Sequence, residues 1–173
     1  MEPRRARVAA EEWMRWQLVD RIDEIVEGKS AVGARTYDPA LELFQDHFPR
    51  FPVVPGVLLM ESLAQLAGKL IGYTVRKQRG DWPFPILSMM NRVKFRRFVR
   101  PGQEIALFVE LVELRDESAV VNVVGKVEGR PMCQAEQVFV FNAVPLATPG
   151  ESAELEAIER AELRRLWAGY PGD

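Results

Sequence analysis

The residues best suited to acid–base chemistry in this 173-residue chain are Glu61 and His47, its only histidine. His47 lies in a proline-rich segment that reads as a loop, and loops carry functional residues more often than packed elements do. Glu61 lies in an apolar stretch, where an unpaired carboxylate is costly and where only Gln65 offers a partner. A base and an acid together suit a reaction that removes one proton and delivers another, such as the loss of water.

A simpler interpretation makes His47 structural and places Glu61 on a solvent-facing stripe of one helix, with Ser62, Gln65 and Lys69. Helical periodicity alone does not exclude this interpretation. Other chemistries lack their residues, because one histidine and one cysteine do not make a zinc site. The sequence also shows no phosphate-binding glycine loop and no serine in a nucleophile elbow. We therefore expect chemistry that needs no metal and no cofactor.

The elements around these residues predict an α+β fold. The segment VPGVLLMESLAQLAGKLIGYTV is apolar around nearly its whole circumference, which predicts a buried helix opened by Pro55 and Gly56. Residues 38–55 before it read as irregular, and residues 16–37 favour a hairpin, although the first half is ambiguous between helix and strand. Four strand-like stretches follow the helix: 86–98, 104–114, 119–127 and 132–144.

The composition is that of one compact domain, with 47% hydrophobic and 28% charged residues. The longest apolar run, Ile105 to Val109, is far shorter than the roughly 18 residues of a membrane span. No secretory signal is visible, and Cys133 is expected to be a small buried hydrophobe, so we expect a cytoplasmic protein. We divide the chain into a lead-in (1–15), a main domain (16–145) and a C-terminal helical extension (146–173), which begins with a capping box from Thr148 to Glu151.

The segment FQDHFPRFPVVPGVLLMESLAQLAG closely resembles the signature of the β-hydroxyacyl–acyl-carrier-protein dehydratases of the FabZ type. His47 and Glu61 keep the spacing of that signature, and NRVKFRRFVRPGQEI resembles the family's second motif. The similarity covers about residues 16–143. It implies a hot-dog fold, in which an antiparallel sheet wraps around a long central helix, and dehydration of a (3R)-hydroxyacyl thioester to the trans-2-enoyl thioester.

The resemblance also implies roles for individual residues. His47 would act on the proton next to the thioester, and Glu61 would act on the departing hydroxyl from the other subunit of a dimer. Backbone N–H groups at the helix start, Gly56 and Val57, would polarise the thioester carbonyl. A glutamate at position 61 favours this type over the isomerising dehydratases, which usually carry aspartate. Asp46 and Arg50 depart from the family pattern, which has glycine at both positions.

A cluster of basic residues predicts the partner. An acidic acyl carrier protein would be steered by this cluster, although such clusters are often only solvated strand faces. A net charge of −2 and a pI near 5.6 argue against nucleic acid. Two alternatives stay open, a hot-dog thioesterase and a weakly active acyl-binding pseudoenzyme. The cluster consists of Arg92, Lys94, Arg96, Arg97 and Arg100.

Overall fold

The computed structural model describes residues 16–143 and 149–172, and its main feature is a six-stranded antiparallel sheet. The strands follow the order β1-β2-β4-β5-β6-β3 across the sheet, so β1 and β3 are its edges. The hairpin prediction is confirmed, because the first two strands pair directly with each other. The strands are β1 (Arg21–Val26), β2 (Ser30–Thr36), β3 (Ile86–Phe95), β4 (Glu104–Leu114), β5 (Ser118–Val127) and β6 (Arg130–Val140).

A long helix, α2 (Gly56–Arg79), packs on this sheet and is buried on most sides, as its sequence predicts. Its N-cap is Pro55, and it ends at Gly80, which adopts a left-handed conformation with φ of 88°. The Tyr37 hydroxyl donates a hydrogen bond to the Leu58 carbonyl oxygen, 2.8 Å away, which ties the helix to the end of β2. The α+β class predicted from the sequence is therefore confirmed.

Three details of the sequence prediction are wrong. The last strand runs from Arg130 to Val140 rather than over 132–144. Residues 38–55 are not irregular throughout, because they contain a one-turn helix, α1 (Leu43–Asp46), anchored by the buried Phe44. The third strand ends at Phe95 rather than Phe98. Its continuation bends away because the N–H groups of Arg96 and Arg97 both donate to the Met132 carbonyl.

A third helix, α3 (Pro149–Leu166), lies within the predicted C-terminal extension. It begins at Pro149, as the capping box predicts, while Thr148 and residues 1–15 lie outside the described residues. Leu163 and Leu166 join the core, and Trp167 meets Tyr73 of α2 edge to face at 5.4 Å. None of the helices in the described ranges is long and apolar enough to cross a membrane.

Cys133 of β6 is fully buried, as expected of a small hydrophobe. Burial raises the pKa of its thiol to about 11. The thiol therefore stays protonated near neutral pH and takes no part in the chemistry considered below.

Candidate active site

The backbone of Val53, in the loop between α1 and α2, fixes the position of His47 through two hydrogen bonds. The Val53 N–H donates to the His47 carbonyl at 3.0 Å, and His47 Nδ1 lies 2.9 Å from the Val53 carbonyl oxygen. Because a carbonyl can only accept, Nδ1 carries the proton and donates, which leaves the lone pair on Nε2. The Phe48 ring stacks on the imidazole at 4.5 Å, across a cis peptide bond. This tautomer and ring orientation are those of a general base acting through Nε2.

Glu61 is half-buried on α2 and is held by Gln65 one turn later. Gln65 Nε2 donates to Glu61 Oε1 at 3.0 Å and to the Trp16 carbonyl at 3.0 Å, while Gln65 Oε1 accepts from the Leu18 N–H at 2.8 Å. Gln65 therefore ties the carboxylate to the chain segment that leads into β1. The expected partner of Glu61 is present.

The interpretation of Glu61, Ser62, Gln65 and Lys69 as a solvent-facing stripe is wrong. Ser62 is fully buried and lies 2.7 Å from the Tyr37 hydroxyl. Lys69 is buried as well, because α3 covers it. Glu61 and Gln65 are half-buried, so the helix has no continuous solvated face at these positions.

Glu61 opens into a groove of about 620 Å³, within the usual range for a small-molecule site. The groove runs along one face of α2 from Glu61 to Lys69, beside the start of β3, and reaches α3. His47 does not line it, and among the described residues no hydrogen bond or ion pair joins His47 to Glu61. The lining residues are Trp16, Gln17, Glu61, Ala64, Gln65, Gly68, Lys69, Trp82, Phe84, Pro85, Ile86, Leu87, Phe139, Glu159 and Glu162.

The first residues of α2 present backbone N–H groups that the helix itself cannot satisfy. The N–H groups of Leu58 and Leu59 both donate to the Pro55 carbonyl, whereas those of Gly56 and Val57 have no intrahelical acceptor. The Phe95 ring packs so closely on Gly56 that an added Cβ would lie 2.6 Å from it. Val57 is 72% exposed. A side chain at position 56 would therefore displace the Phe95 ring, a contact that sequence spacing does not reveal.

Three of the five predicted basic residues lie together beside the loop that carries His47. Arg96, Arg97 and Arg100 line a surface cavity of about 480 Å³, which Arg130 also lines. The Arg100 guanidinium lies 4.3 Å above the ring of Phe51, and Phe51 meets Phe98 edge to face.

Arg92 and Lys94 are exposed on β3 and do not line this cavity. Sequence reasoning missed Arg130, because it lies on β6 and only strand pairing brings it beside the others. Asp46 and Arg50, the two departures from the family signature, are both exposed.

The sequence matches known proteins over most of its length. A family model described as a FabA-like domain matches residues 11–141. A 3-hydroxyacyl-(acyl-carrier-protein) dehydratase FabZ from Pediococcus pentosaceus is 38% identical over 126 residues, which cover 73% of this chain and 83% of the relative. The FabZ dehydratase of Lactobacillus helveticus is 40% identical over 123 residues, covering 71% of this chain and 81% of the relative.

Solved structures share the fold at low sequence identity. The dehydratase heterocomplex ApeI:P from Xenorhabdus doucetiae aligns with a TM-score of 0.59 at 12% identity, covering 80% of this chain and 88% of that one. A hypothetical thioesterase with coenzyme A from Streptococcus pneumoniae aligns with a TM-score of 0.55 at 13% identity, covering 70% and 87%. At such identities the likeness establishes the hot-dog fold and nothing more.

Proposed function

Because this chain belongs to the FabA-like family, we propose that it dehydrates a (3R)-hydroxyacyl thioester, carried on acyl carrier protein, to the trans-2-enoyl thioester in fatty-acid synthesis. The observation that carries the proposal is the state of His47. Its Nδ1 is committed to the Val53 carbonyl, which leaves Nε2 free to accept a proton, and Glu61 follows at the FabZ spacing. The curated relatives are named as enzymes of this reaction.

In this reaction His47 Nε2 takes the proton from C2 of the acyl chain, and the C2–H electron pair forms the C2–C3 double bond. The C3–O bond breaks, and the hydroxyl leaves as water with the proton that Glu61 donates. Negative charge grows on the thioester oxygen while the C2 proton departs. The N–H groups of Gly56 and Val57, at the positive end of α2, would stabilise that charge.

The two acid–base groups would come from different protomers of a homodimer or a larger even-numbered assembly. Glu61 lies in a groove that His47 does not reach within one chain, which supports a shared site. The edge strand β3 supports it further, because it exposes Met89, Met90 and Phe95. Apolar side chains on an open sheet edge favour pairing with another chain.

The arginine-lined cavity would receive the carrier protein. It contains Arg96, Arg97, Arg100 and Arg130, and only Glu128 among its lining residues is acidic. A positive patch beside the His47 loop would guide an acidic carrier to the site. Arg92 and Lys94 on β3 would extend this field. We place the enzyme in the cytoplasm, with no membrane or nucleic-acid partner.

A turnover assay with defined thioesters tests the proposal. Purified protein and crotonyl-pantetheine should lose the absorbance of the conjugated enoyl group as water adds, and free thiol should not appear. The His47→Ala variant should be slower by about 10²–10⁴-fold, the usual contribution of a general base. Release of thiol would indicate a thioesterase, and no change with either protein would indicate an acyl-binding pseudoenzyme. Neither of these alternatives is favoured by a specific contact in the structure.

A further inference from the structure

The C-terminal helix α3 lies beyond the family match, which ends at residue 141, yet it forms one wall of the groove that begins at Glu61. It is firmly docked there. Leu163 is fully buried, and Glu156 forms an ion pair with Arg76 of α2 at 3.2 Å. One wall of the groove is therefore formed by an element that lies outside the family match.

The wall that α3 supplies is charged. Lys69 of α2 forms ion pairs with Glu159, at 2.5 Å, and with Glu162 of α3. Glu162 also accepts a hydrogen bond from the Gln17 side chain. Lys69 and Glu162 are each only 9% exposed, whereas Glu159 is 33% exposed.

Lys69 is paired with both carboxylates and Gln17 donates a further hydrogen bond to Glu162, so the groups of this cluster already have partners. A methylene chain that reached it would strip water from the charges and give no hydrogen bond in return. The cluster is therefore a poor place for the end of an alkyl chain to lie.

The distance from Glu61 to Lys69 sets the length of acyl chain that fits between Glu61 and the charged wall. Glu61 and Lys69 lie eight positions apart on α2, which is about 12 Å along the axis. An extended chain advances roughly 3.5 Å for every three bonds, so about ten carbon–carbon bonds cover that distance. The groove between them is lined by apolar groups suited to an alkyl chain, among them Ala64, Ile86 and Leu87.

We propose that the ion cluster of Lys69, Glu159 and Glu162 closes the acyl-binding groove and limits the length of the acyl chain that this enzyme accepts. The inference rests on the proposed function, because it assumes that the acyl chain runs from Glu61 along α2. It assigns α3 the role of a specificity-determining element.

The test compares chain lengths in the full-length protein. The substrates are 3-hydroxyacyl-pantetheine thioesters with butyryl, octanoyl, dodecanoyl and palmitoyl chains, and kcat/KM is measured for each. The main variant is Lys69→Met with Glu162→Met, which removes both buried charges together. Glu159 then loses Lys69 as its partner, but its carboxylate is 33% exposed and stays in contact with water. Glu159→Ala is the second variant, because residue 159 is partly exposed and its replacement should not prevent folding. Glu154→Ala, an exposed residue of α3 outside the groove, is the matched control.

In the wild type and in Glu154→Ala, kcat/KM should rise by up to roughly fourfold for each added methylene. The rise should stop at about thirteen carbons, because Glu61 acts at C3 and about ten further bonds reach the wall. In the double variant the rise should continue to palmitoyl, so the ratio of palmitoyl to octanoyl kcat/KM should increase, and Glu159→Ala should show a smaller increase. Identical ratios in all four proteins would overturn the proposal.

Calorimetric Kd values for saturated acyl-pantetheine amides of the same lengths separate this inference from the proposed function. The first informative result is a length limit in binding that the double variant removes, combined with no turnover of any thioester. This result would support the role of the ion cluster and refute the dehydratase function. The second is turnover of every chain length with the same dependence on length in the double variant as in the wild type. This result would support the dehydratase function and refute the role of the ion cluster.

Discussion

Single hydrogen bonds orient the side chains of His47 and Glu61, the two proposed acid–base groups. The Val53 carbonyl selects the tautomer of His47, and the Gln65 amide fixes the position of the Glu61 carboxylate. Gln65 differs from His47 and Glu61 because the proposed reaction gives it no proton to move, although it lines the same groove as Glu61. It is a positioning residue, and it also ties the active helix to the strand β1 through Trp16 and Leu18.

Replacing Gln65 by alanine should therefore lower kcat more than it changes KM. Glu61 would lose the donor that orients it, and a misplacement of about 1 Å in a catalytic group can cost up to about 10²-fold. Steady-state kinetics on one carrier-bound substrate would measure both constants. Gln45→Ala, at an exposed position on α1, is the control and should leave both constants unchanged. A Gln65→Ala protein with unaltered kcat would show that Glu61 is positioned by its helix alone.

At this scale the sequence predicted the start of the helix at Gly56 and singled out His47 and Glu61 as candidates, but it did not reveal the surroundings of these residues. His47, Glu61 and Gly56 could be picked out because their spacing is local and fixed by a short signature. The Phe95 ring against Gly56 could not be, because the two residues meet only when β3 reaches the start of α2. Arg130 escaped notice for the same reason, since strand pairing alone brings it beside Arg96 and Arg97.

At the element scale, two glycines of the central helix α2 differ in how closely neighbouring side chains approach them. At Gly72 an added Cβ would lie 2.2 Å from the Trp82 indole, whereas at Gly68 the nearest atom would be a Pro85 carbon 3.9 Å away. Trp82 is almost fully buried. The absence of a side chain at Gly72 therefore makes room for the indole, whereas Gly68 has space for a small side chain.

These two glycines make a matched pair for a stability measurement. Gly72→Ala should lower the free energy of unfolding by about 1–3 kcal/mol, because the indole must move from a packed site. Gly68→Ala should raise it by about 0.5–1 kcal/mol, because alanine in a helix interior loses less backbone entropy on folding. Urea unfolding followed by circular dichroism would measure both. Equal effects at the two positions would contradict the packing described for Trp82.

Most helices and strands could be predicted from the sequence, but the contacts that bury their surfaces could not. The apolar run of α2 and the turns between the last strands are local signals, so the sequence located them. Lys69 looked like part of a solvated stripe because its partners, Glu159 and Glu162, lie about ninety positions further on. A contact between segments so far apart leaves no trace in periodicity. The single turn α1 was missed because prolines surround it on both sides.

At the scale of the whole molecule, His47 does not line the groove that begins at Glu61, and the edge strand β3 exposes apolar side chains. The edge strand β3 runs between the Glu61 groove, at Ile86, and the arginine-lined cavity just beyond its end. A second chain paired at this edge would lie next to both features. The proposed assembly therefore joins the acid, the base and the carrier-binding surface through one element.

The carrier surface has a prediction of its own. The double variant Arg96→Glu with Arg97→Glu should raise the KM for a carrier-bound substrate and change kcat less, because charge reversal repels an acidic partner before chemistry begins. Turnover of a pantetheine thioester, which carries no protein, should be nearly unaffected. Lys77→Glu with Arg115→Glu makes the same change of net charge at exposed positions elsewhere and should affect neither substrate. Equal losses on both substrates would point to a damaged fold instead.

The central claim is that each active site takes His47 from one protomer and Glu61 from the other, and subunit exchange tests it most directly. The variants His47→Ala and Glu61→Gln are purified with different tags, shown to be inactive separately, mixed in equal amounts and allowed to exchange. A shared site gives each mixed dimer one intact pair, so dehydratase activity should recover to about a quarter of the wild-type value per chain. If affinity capture through both tags shows that mixed dimers have formed and the mixture stays inactive, the two groups belong to one chain and the account is contradicted.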